Sequence, residues 1–161
     1  MKPVGKHKFL PLVSVLVAAW NLPVLAAEPP RMVLMDLQAN AVSKEVAQSL
    51  TDLLDLEIER SGLYAVFSQQ DLRAMMAAEE QKQLLGVEDP PIEVLARIGK
   101  AVNAPYLLRG SVGKVGSMMV VSLDLIDVKA VKAIRRVNQT LVGDESSLVG
   151  SVRAAALALA L

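Results

Sequence analysis

The clearest pattern in the chain is an alternation of apolar and polar residues between positions 104 and 142. Because successive side chains of a strand point to opposite faces, this alternation predicts half-buried strands, here three of them in an antiparallel meander. A two-residue loop at Val115-Gly116 is predicted to join the first two, with glycine supplying the positive φ that such loops need. That loop would pair Val112 with Met119, Leu108 with Leu123 and Tyr106 with Leu125.

The two faces of this hairpin are predicted to differ. One face is wholly apolar, whereas the other is half wetted and carries Arg109, Ser111, Ser122 and Asp124, with Leu107 and Val120 among them. A third strand over residues 133–142 alternates less clearly, because each of its faces holds one arginine. Its register against the second strand stays unassigned.

Before the meander, the pattern changes between strand and helix periods. Residues 32–37 form a nearly continuous apolar run, which predicts a strand buried on both faces, and residues 38–40 are predicted to end it. Residues 43–61 carry apolar side chains at helical spacing, with Gly62 as the predicted stop. A second strand follows over residues 63–67, and the β-α-β order makes the two strands parallel with a right-handed crossover.

Two more helices are predicted between the second strand and the meander. Ser68 and Asp71 form a capping box, and the helix that follows has a predicted inner edge at Leu72, Met75 and Met76. The charged run at residues 79–83 is interpreted as a solvated helix face, and residues 86–91 as a loop. The next helix has its apolar positions at Ile92, Leu95, Ile98 and Val102.

The chain closes with an alanine- and leucine-rich segment, residues 148–161, preceded by a break and an N-cap at residues 143–146. Its alternation would also fit a strand, but alanine favours a helix. Because Arg153 is its only charged residue, this helix must be covered by the sheet, by a second copy of the chain or by another partner. The predicted order is β-α-β-α-α-β-β-β-α, an α/β domain with helices packed on a mixed five-stranded sheet.

Residues 1–27 have the three parts of a secretory signal peptide. Three lysines precede an apolar run over residues 9–20, and cleavage is expected after Ala26 or Ala27. The run is interrupted by Pro11 and is shorter than the roughly 20 residues that a bilayer core requires, which favours cleavage over an uncleaved anchor. Because the chain has no cysteine to carry a lipid, we expect a periplasmic protein that is not a lipoprotein, with residues 28–161 as one domain.

Composition removes several classes of function from this expected mature domain. It has no cysteine, and the single His7 lies in the leader, which excludes cysteine nucleophiles, histidine bases and metal sites built from these ligands. Removing the three leader lysines leaves 14 basic and 17 acidic residues, a net charge near −3. Nucleic-acid binders instead concentrate positive charge. We therefore predict no metal, no cofactor and no nucleic-acid partner.

A hydrolase that uses only carboxylates remains the distant alternative. Asp36 interrupts a predicted buried strand and is the best candidate for a perturbed pKa, although a hydrogen-bonded structural role is favoured. A plainer explanation is favoured for each of the other acidic pairs: Glu79/Glu80, Glu88/Asp89, Asp124/Asp127 and Asp144/Glu145. Of these, Glu88/Asp89 and Asp144/Glu145 lie where turns and helix starts favour acids. No catalytic residue is predicted.

Four segments carry a family resemblance: residues 68–72 (Ser-Gln-Gln-Asp-Leu), 80–86 (Glu-Gln-Lys-Gln-Leu-Leu-Gly), 98–112 (Ile-Gly-Lys-Ala-Val-Asn-Ala-Pro-Tyr-Leu-Leu-Arg-Gly-Ser-Val) and 123–129 (Leu-Asp-Leu-Ile-Asp-Val-Lys). Over residues 31–161, the sequence resembles the bacterial envelope superfamily of the TolB amino-terminal domain, CsgG, FlgO and LpoB-like proteins. The resemblance implies an anticodon-binding-like α/β domain, in a family whose members act as channels, docking modules or regulators.

The resulting hypothesis is a non-enzymatic periplasmic module that docks onto an envelope protein. The half-wetted meander face, with Arg109, Asp124 and Arg136, is the candidate partner-binding surface. The alternative is a self-assembling structural or secretion-associated envelope subunit, a homo-oligomer joined through the helix at residues 148–161.

Overall fold

The computed structural model describes residues 28–75 and 90–160 of the chain. The predicted leader, Met76, the charged run at 79–83 and most of the predicted loop at 86–91 lie outside the described residues. The elements in chain order are β1 (Arg31–Leu34), β2 (Gln38–Asn40), α1 (Lys44–Ser61), β3 (Ala65–Ser68), α2 (Gln69–Met75), α3 (Ile92–Ala101), β4 (Tyr106–Val115), β5 (Met118–Asp127), β6 (Lys132–Val142) and α4 (Ser147–Ala160).

The strands form one mixed sheet in the order β3-β1-β4-β5-β6, as the predicted fold class requires. β1 is parallel to β3 and to β4, and β4, β5 and β6 are successively antiparallel. The predicted strand count was wrong by one, because residues 38–40 do not end a strand but form β2, which runs parallel to residues 111–113 of β4. Glutamine and asparagine at these positions are typical of a strand end. Here residues 38–40 are nevertheless a strand, because their backbone groups are hydrogen-bonded by pairing with β4.

The predicted hairpin was right in its faces and wrong in its register. The loop is Gly116-Ser117, with Gly116 at a φ of +61°, so Val112 lies opposite Val121 and Leu108 opposite Leu125. This differs from the prediction by two residues. Because side chains alternate with a period of two, a two-residue slip leaves the same side chains on each face.

The register of β6 explains why its alternation is hard to read. Val137 lies opposite Leu123, but a bulge at Ile134 shifts the pairing, so that Ala133 lies opposite Ile126. A bulge reverses the faces of the residues before it. Val137 therefore packs in one core cluster, whereas Ala133 packs against the other.

Helices cover the sheet on both faces. α1 and α4 pack on the apolar face of the meander, and α2 and α3 pack on the opposite face around Val33 and Leu107. The predicted ends of α1 are confirmed, since the Ser43 hydroxyl accepts from the Val46 N–H at 3.2 Å and Gly62 is left-handed. The Ser68–Asp71 capping box is also confirmed. Met75 is exposed, so the prediction that it lies on an inner edge was wrong.

The carboxy-terminal segment is the helix α4, and the strand alternative is wrong. Leu148, Val152 and Leu159 are buried against the sheet and α1, which gives this apolar helix the cover that its composition demands. At its end, an Arg135 guanidinium N–H donates to the carbonyl oxygens of Ala158 and Leu159 at 3.0 and 3.1 Å. Among the described residues, none of the helices combines the length and the apolar character that a membrane crossing requires.

Asp55 of α1 carries a buried carboxylate oxygen, Oδ1, without a hydrogen-bond partner in the described part of the chain. Burial raises the pKa of Asp55, and the nearby charges of Glu59, Asp71 and Asp52 raise it further. In the folded state, the ionised carboxylate is therefore disfavoured relative to the unfolded chain.

We expect the Asp55→Asn variant to melt about 2 °C higher than the original protein at pH 7, because the substitution removes a penalised charge. A raised folded-state pKa means that the penalty is fully present above that pKa and disappears as the pH falls towards the unfolded value. The advantage of the variant should therefore shrink in acid. Thermal melts at pH 7 and at about pH 4 measure it. Glu28→Gln, an exposed change of equal charge, should show no such trend.

Candidate partner-binding surface

The three residues predicted for the candidate surface lie side by side across the meander. Arg109 of β4 is directly opposite Asp124 of β5, and Asp124 is directly opposite Arg136 of β6. Directly opposite residues of an antiparallel sheet share a face. Arg109, Asp124 and Arg136 thus form one line across three strands, here called the charged row.

Asp124 holds the charged row together by contacting both arginines. Arg136 Nε donates to Asp124 Oδ1 at 2.6 Å, and its NH2 donates to Oδ2 at 3.4 Å. Arg109 Nε lies 3.7 Å from the same Oδ2, while Arg109 NH1 donates to the Pro90 carbonyl at 3.3 Å. The side chains of Arg136, Arg109 and Asp124 are 64%, 27% and 19% exposed, so the carboxylate lies inside and Arg136 outermost.

The electrostatics of the charged row stabilise the charged form of Arg136. The hydrogen bond that Arg136 donates to Asp124, and then the negative charge of that carboxylate, raise the pKa of Arg136 above its ordinary value. One carboxylate between two guanidinium groups leaves an excess positive charge. The row is therefore a local positive feature on a domain that the sequence makes slightly acidic.

The charged row lies where the helix cover of this face stops. Leu107 and Ile126 are opposite each other, fully buried under the α2–α3 side of the sheet. The next pair of residues on the same face is Arg109 and Asp124, and beyond it lie Ser111 and Ser122. This boundary explains why the sequence gives the face a mixture of apolar and polar residues.

A cleft of about 180 Å³ opens beside the charged row. Its walls combine charged, hydroxyl and apolar groups from four parts of the chain: Met35, Asp36, Gln38, Pro90, Leu95, Arg109, Gly110, Ser111, Ser122 and Asp124. Pockets for small-molecule ligands are larger, typically about 300–1,000 Å³. The cleft is therefore smaller than a typical small-molecule pocket.

Sequence reasoning missed two walls of this cleft, Gln38 and Pro90. Both come to β4 through the tertiary fold, Gln38 by the pairing of β2 with β4 and Pro90 by its carbonyl contact with Arg109. Neither residue stands in a motif, and no local signal in the sequence could have placed them there.

Asp36 has the perturbed pKa that its place in the sequence predicted. Burial raises the pKa of this carboxyl, the positive charge of Arg73 opposes the rise, and the charge of Asp52 adds to it. An Arg73 NH2 group lies 3.5 Å from Asp36 Oδ2, and the Asp36 N–H donates to Gln69 Oε1 at 2.9 Å. These contacts give Asp36 structural partners at the cleft wall.

The other acidic pairs that the structure describes have local structural roles. Asp127 Oδ1 accepts from the Ala130 N–H at 2.7 Å in the β5–β6 turn. Asp144 Oδ1 accepts from the Ser146 N–H at 3.0 Å, and the hydrogen bonds from Ser146 lower the pKa of Asp144. The pairs Glu79/Glu80 and Glu88/Asp89 lie outside the described residues. Within residues 28–75 and 90–160, acidic and histidine side chains form no group suited to a metal ion.

No protein-family model and no curated protein matches this sequence. Solved structures match the fold at low identity, among them the following three. A PelC dodecamer subunit from Paraburkholderia phytofirmans has a TM-score of 0.54 at 16% identity, covering 80% of this chain and 86% of that one. The LpoB carboxy-terminal domain from Salmonella enterica has a TM-score of 0.53 at 18% identity, covering 72% of this chain and 85% of that one. Lipoprotein GNA1162 from Neisseria meningitidis has a TM-score of 0.52 at 13% identity, covering 81% of this chain and 96% of that one.

The chain has an LpoB-like fold. At these identities the likeness establishes the fold alone, and it confirms the LpoB-like part of the resemblance stated from the sequence. The more specific relationships to CsgG and FlgO stay predictions.

Proposed function

We propose that this protein is a non-enzymatic module of the bacterial envelope that docks another envelope protein on the charged row and the adjoining cleft. The observation that carries the proposal is the position of the row at the edge of the helix cover, where three strands present a rigid charged surface. The LpoB-like fold and the leader-like residues 1–27 support an envelope location.

The geometry fits recognition of a protein surface. Arginine is enriched at the energetic centres of interfaces, where a pocket takes an anchoring side chain and polar groups surround it. Here Arg136 and Arg109 flank Asp124, and the serines Ser111 and Ser122 supply hydroxyl groups at the cleft. The excess positive charge favours a partner that brings a carboxylate to the row.

Neutralising both arginines should abolish most partner capture. In cells that export the protein, we expect the double variant Arg109→Gln and Arg136→Gln to lose at least about tenfold in captured envelope protein after crosslinking, since hydrogen bonds to charged groups contribute about 1.5–3 kcal/mol each. The matched control, Arg97→Gln with Lys114→Gln, changes the same charge at exposed positions of α3 and β4.

Both double variants should melt within a few degrees of the original protein, so that lost capture reports binding rather than folding. Equal capture by the two double variants would contradict the proposed surface. Turnover of a cell-wall or nucleotide substrate by the purified protein would contradict the non-enzymatic assignment.

A self-assembling envelope subunit is the second candidate function. One structural neighbour is a dodecamer, and α4 exposes Val149 and Leu157 to solvent although it is packed on the sheet. Sedimentation of the purified exported protein decides this alternative, because a monomer at all concentrations rules out assembly.

A further inference from the structure

The strand β6 is a long edge of the sheet. It has 11 residues and pairs with β5 on one side, and no described residue pairs with its other side. The opposite edge, β3, has four residues. A long edge strand presents unpaired backbone N–H and C=O groups that can bond another strand.

The backbone groups of β6 that point away from β5 can be identified from the register. The Gly143 N–H donates to the Ser117 carbonyl at 3.2 Å, and these two residues extend the pairing of Val142 with Met118. In an antiparallel pair, hydrogen-bonded residues alternate along each strand. Odd-numbered residues of β6 after its bulge therefore bond β5, and the outward groups belong to Arg136, Asn138, Thr140 and Val142.

We propose that this edge binds the β6 edge of a second copy of the chain, antiparallel, about a two-fold axis at Gln139. In this register, Arg136 lies opposite Val142, Val137 opposite Leu141, and Asn138 opposite Thr140. All four outward residues of each copy then find hydrogen-bonding partners, about eight bonds in total.

Neighbouring registers of the two β6 strands are less favourable for pairing. An axis at Asn138 leaves Val142 opposite the bulged Ile134. An axis at Arg136 places two arginines directly opposite each other, and like charges there are destabilising.

The basic residues of β6 do not face one another in the proposed register. β6 has no carboxylate, and Lys132, Arg135 and Arg136 all lie near its beginning. With the axis at Gln139, Arg136 faces Val142 of the second copy, so the positive charges of the two copies lie at opposite ends of the pairing. A second copy also covers the exposed apolar residues Leu141 and Val142, which are 42% and 78% exposed.

The pairing would join two sheets into one and turn the same face of both copies in one direction. A two-fold axis normal to the sheet keeps the charged rows of the two copies on a common face. The dimer would thus present two docking surfaces side by side, an arrangement that increases avidity for a repeated partner. Dimerisation itself is independent of docking at the charged row, so either can fail without the other.

A charge exchange at the axis tests both the pairing and its register. The full chain is expressed, the exported protein is purified, and its dimer dissociation constant is measured by sedimentation. Gln139→Lys and Gln139→Glu each place like charges opposite each other at the axis, and each should raise that constant about fivefold. An equimolar mixture of the two variants should restore dimers, because the charges then attract.

A backbone variant gives a second, independent readout. Thr140→Pro removes an outward N–H, which edge strands tolerate, and should abolish the dimer while the protein stays folded by circular dichroism. In the original protein, amide exchange at Asn138 and Thr140 should slow as concentration rises. A monomer at all concentrations, a dimer insensitive to Thr140→Pro, or a mixture that restores nothing would overturn the proposal.

Discussion

Replacing Gly110 by alanine is expected to lower the free energy of unfolding by about 2–3 kcal/mol, because β4 has no room for a methyl group there. A Cβ on Gly110 would collide with the backbone carbonyl of Ser122 and approach the Leu123 Cδ2 atom to 2.6 Å and the Leu37 Cδ2 atom to 3.0 Å. A backbone carbonyl cannot move aside as a flexible side-chain end can. β4 and β5 would have to separate, and with them Arg109 and Asp124.

Urea unfolding of the purified protein measures this effect, and Gly150→Ala is its matched control. Gly150 lies in α4 with open space around its Cβ position. Alanine stabilises an exposed helix position by about 0.5–1 kcal/mol relative to glycine. The same substitution should therefore destabilise the protein at one site and stabilise it at the other. A Gly110→Ala variant as stable as the original would show that the contact of β4 with β5 is looser than described.

Replacing Leu123 by alanine is expected to cost about 3 kcal/mol and to lower the melting temperature by about 10 °C. Leu123 is fully buried in β5, the strand between β4 and β6, under the helix layer of α1 and α4. Removing its three terminal carbons leaves a cavity that the surrounding rigid sheet cannot close.

The control for this prediction is Leu56→Ala, the same substitution at an exposed position of α1, which should change stability by about 0.5 kcal/mol or less. Thermal melts of the two variants, measured together, give the comparison. Similar losses at both positions would mean that the apolar face of the meander is not the core of the domain.

Local signals in the sequence predict the helix ends and the apolar face, and the structure confirms both. Ser43 and Gly62 bound α1 because a hydroxyl cap and a left-handed glycine act within one turn of the helix. The apolar face of the meander is predictable because it depends only on alternation, which survives the two-residue error in the hairpin register.

Features that depend on long-range pairing could not be predicted from the sequence. The position of the hairpin loop is ambiguous because Gly116 can serve as either residue of a two-residue loop. The bulge at Ile134 hides the register that places Arg136 beside Asp124. The cleft joins Asp36 and Pro90 to β4, and only the folded chain brings these distant positions together.

The most direct test of the docking surface is site-specific photo-crosslinking in intact cells. A photoreactive residue replaces Ser122, beside the charged row, or Ala154, exposed on α4 on the opposite face of the sheet. Docking at the charged row predicts that the Ser122 position forms a discrete crosslink to an envelope protein and that the Ala154 position does not. The same crosslink from both positions, or none from Ser122, would contradict the assignment of the charged row as the partner-binding surface.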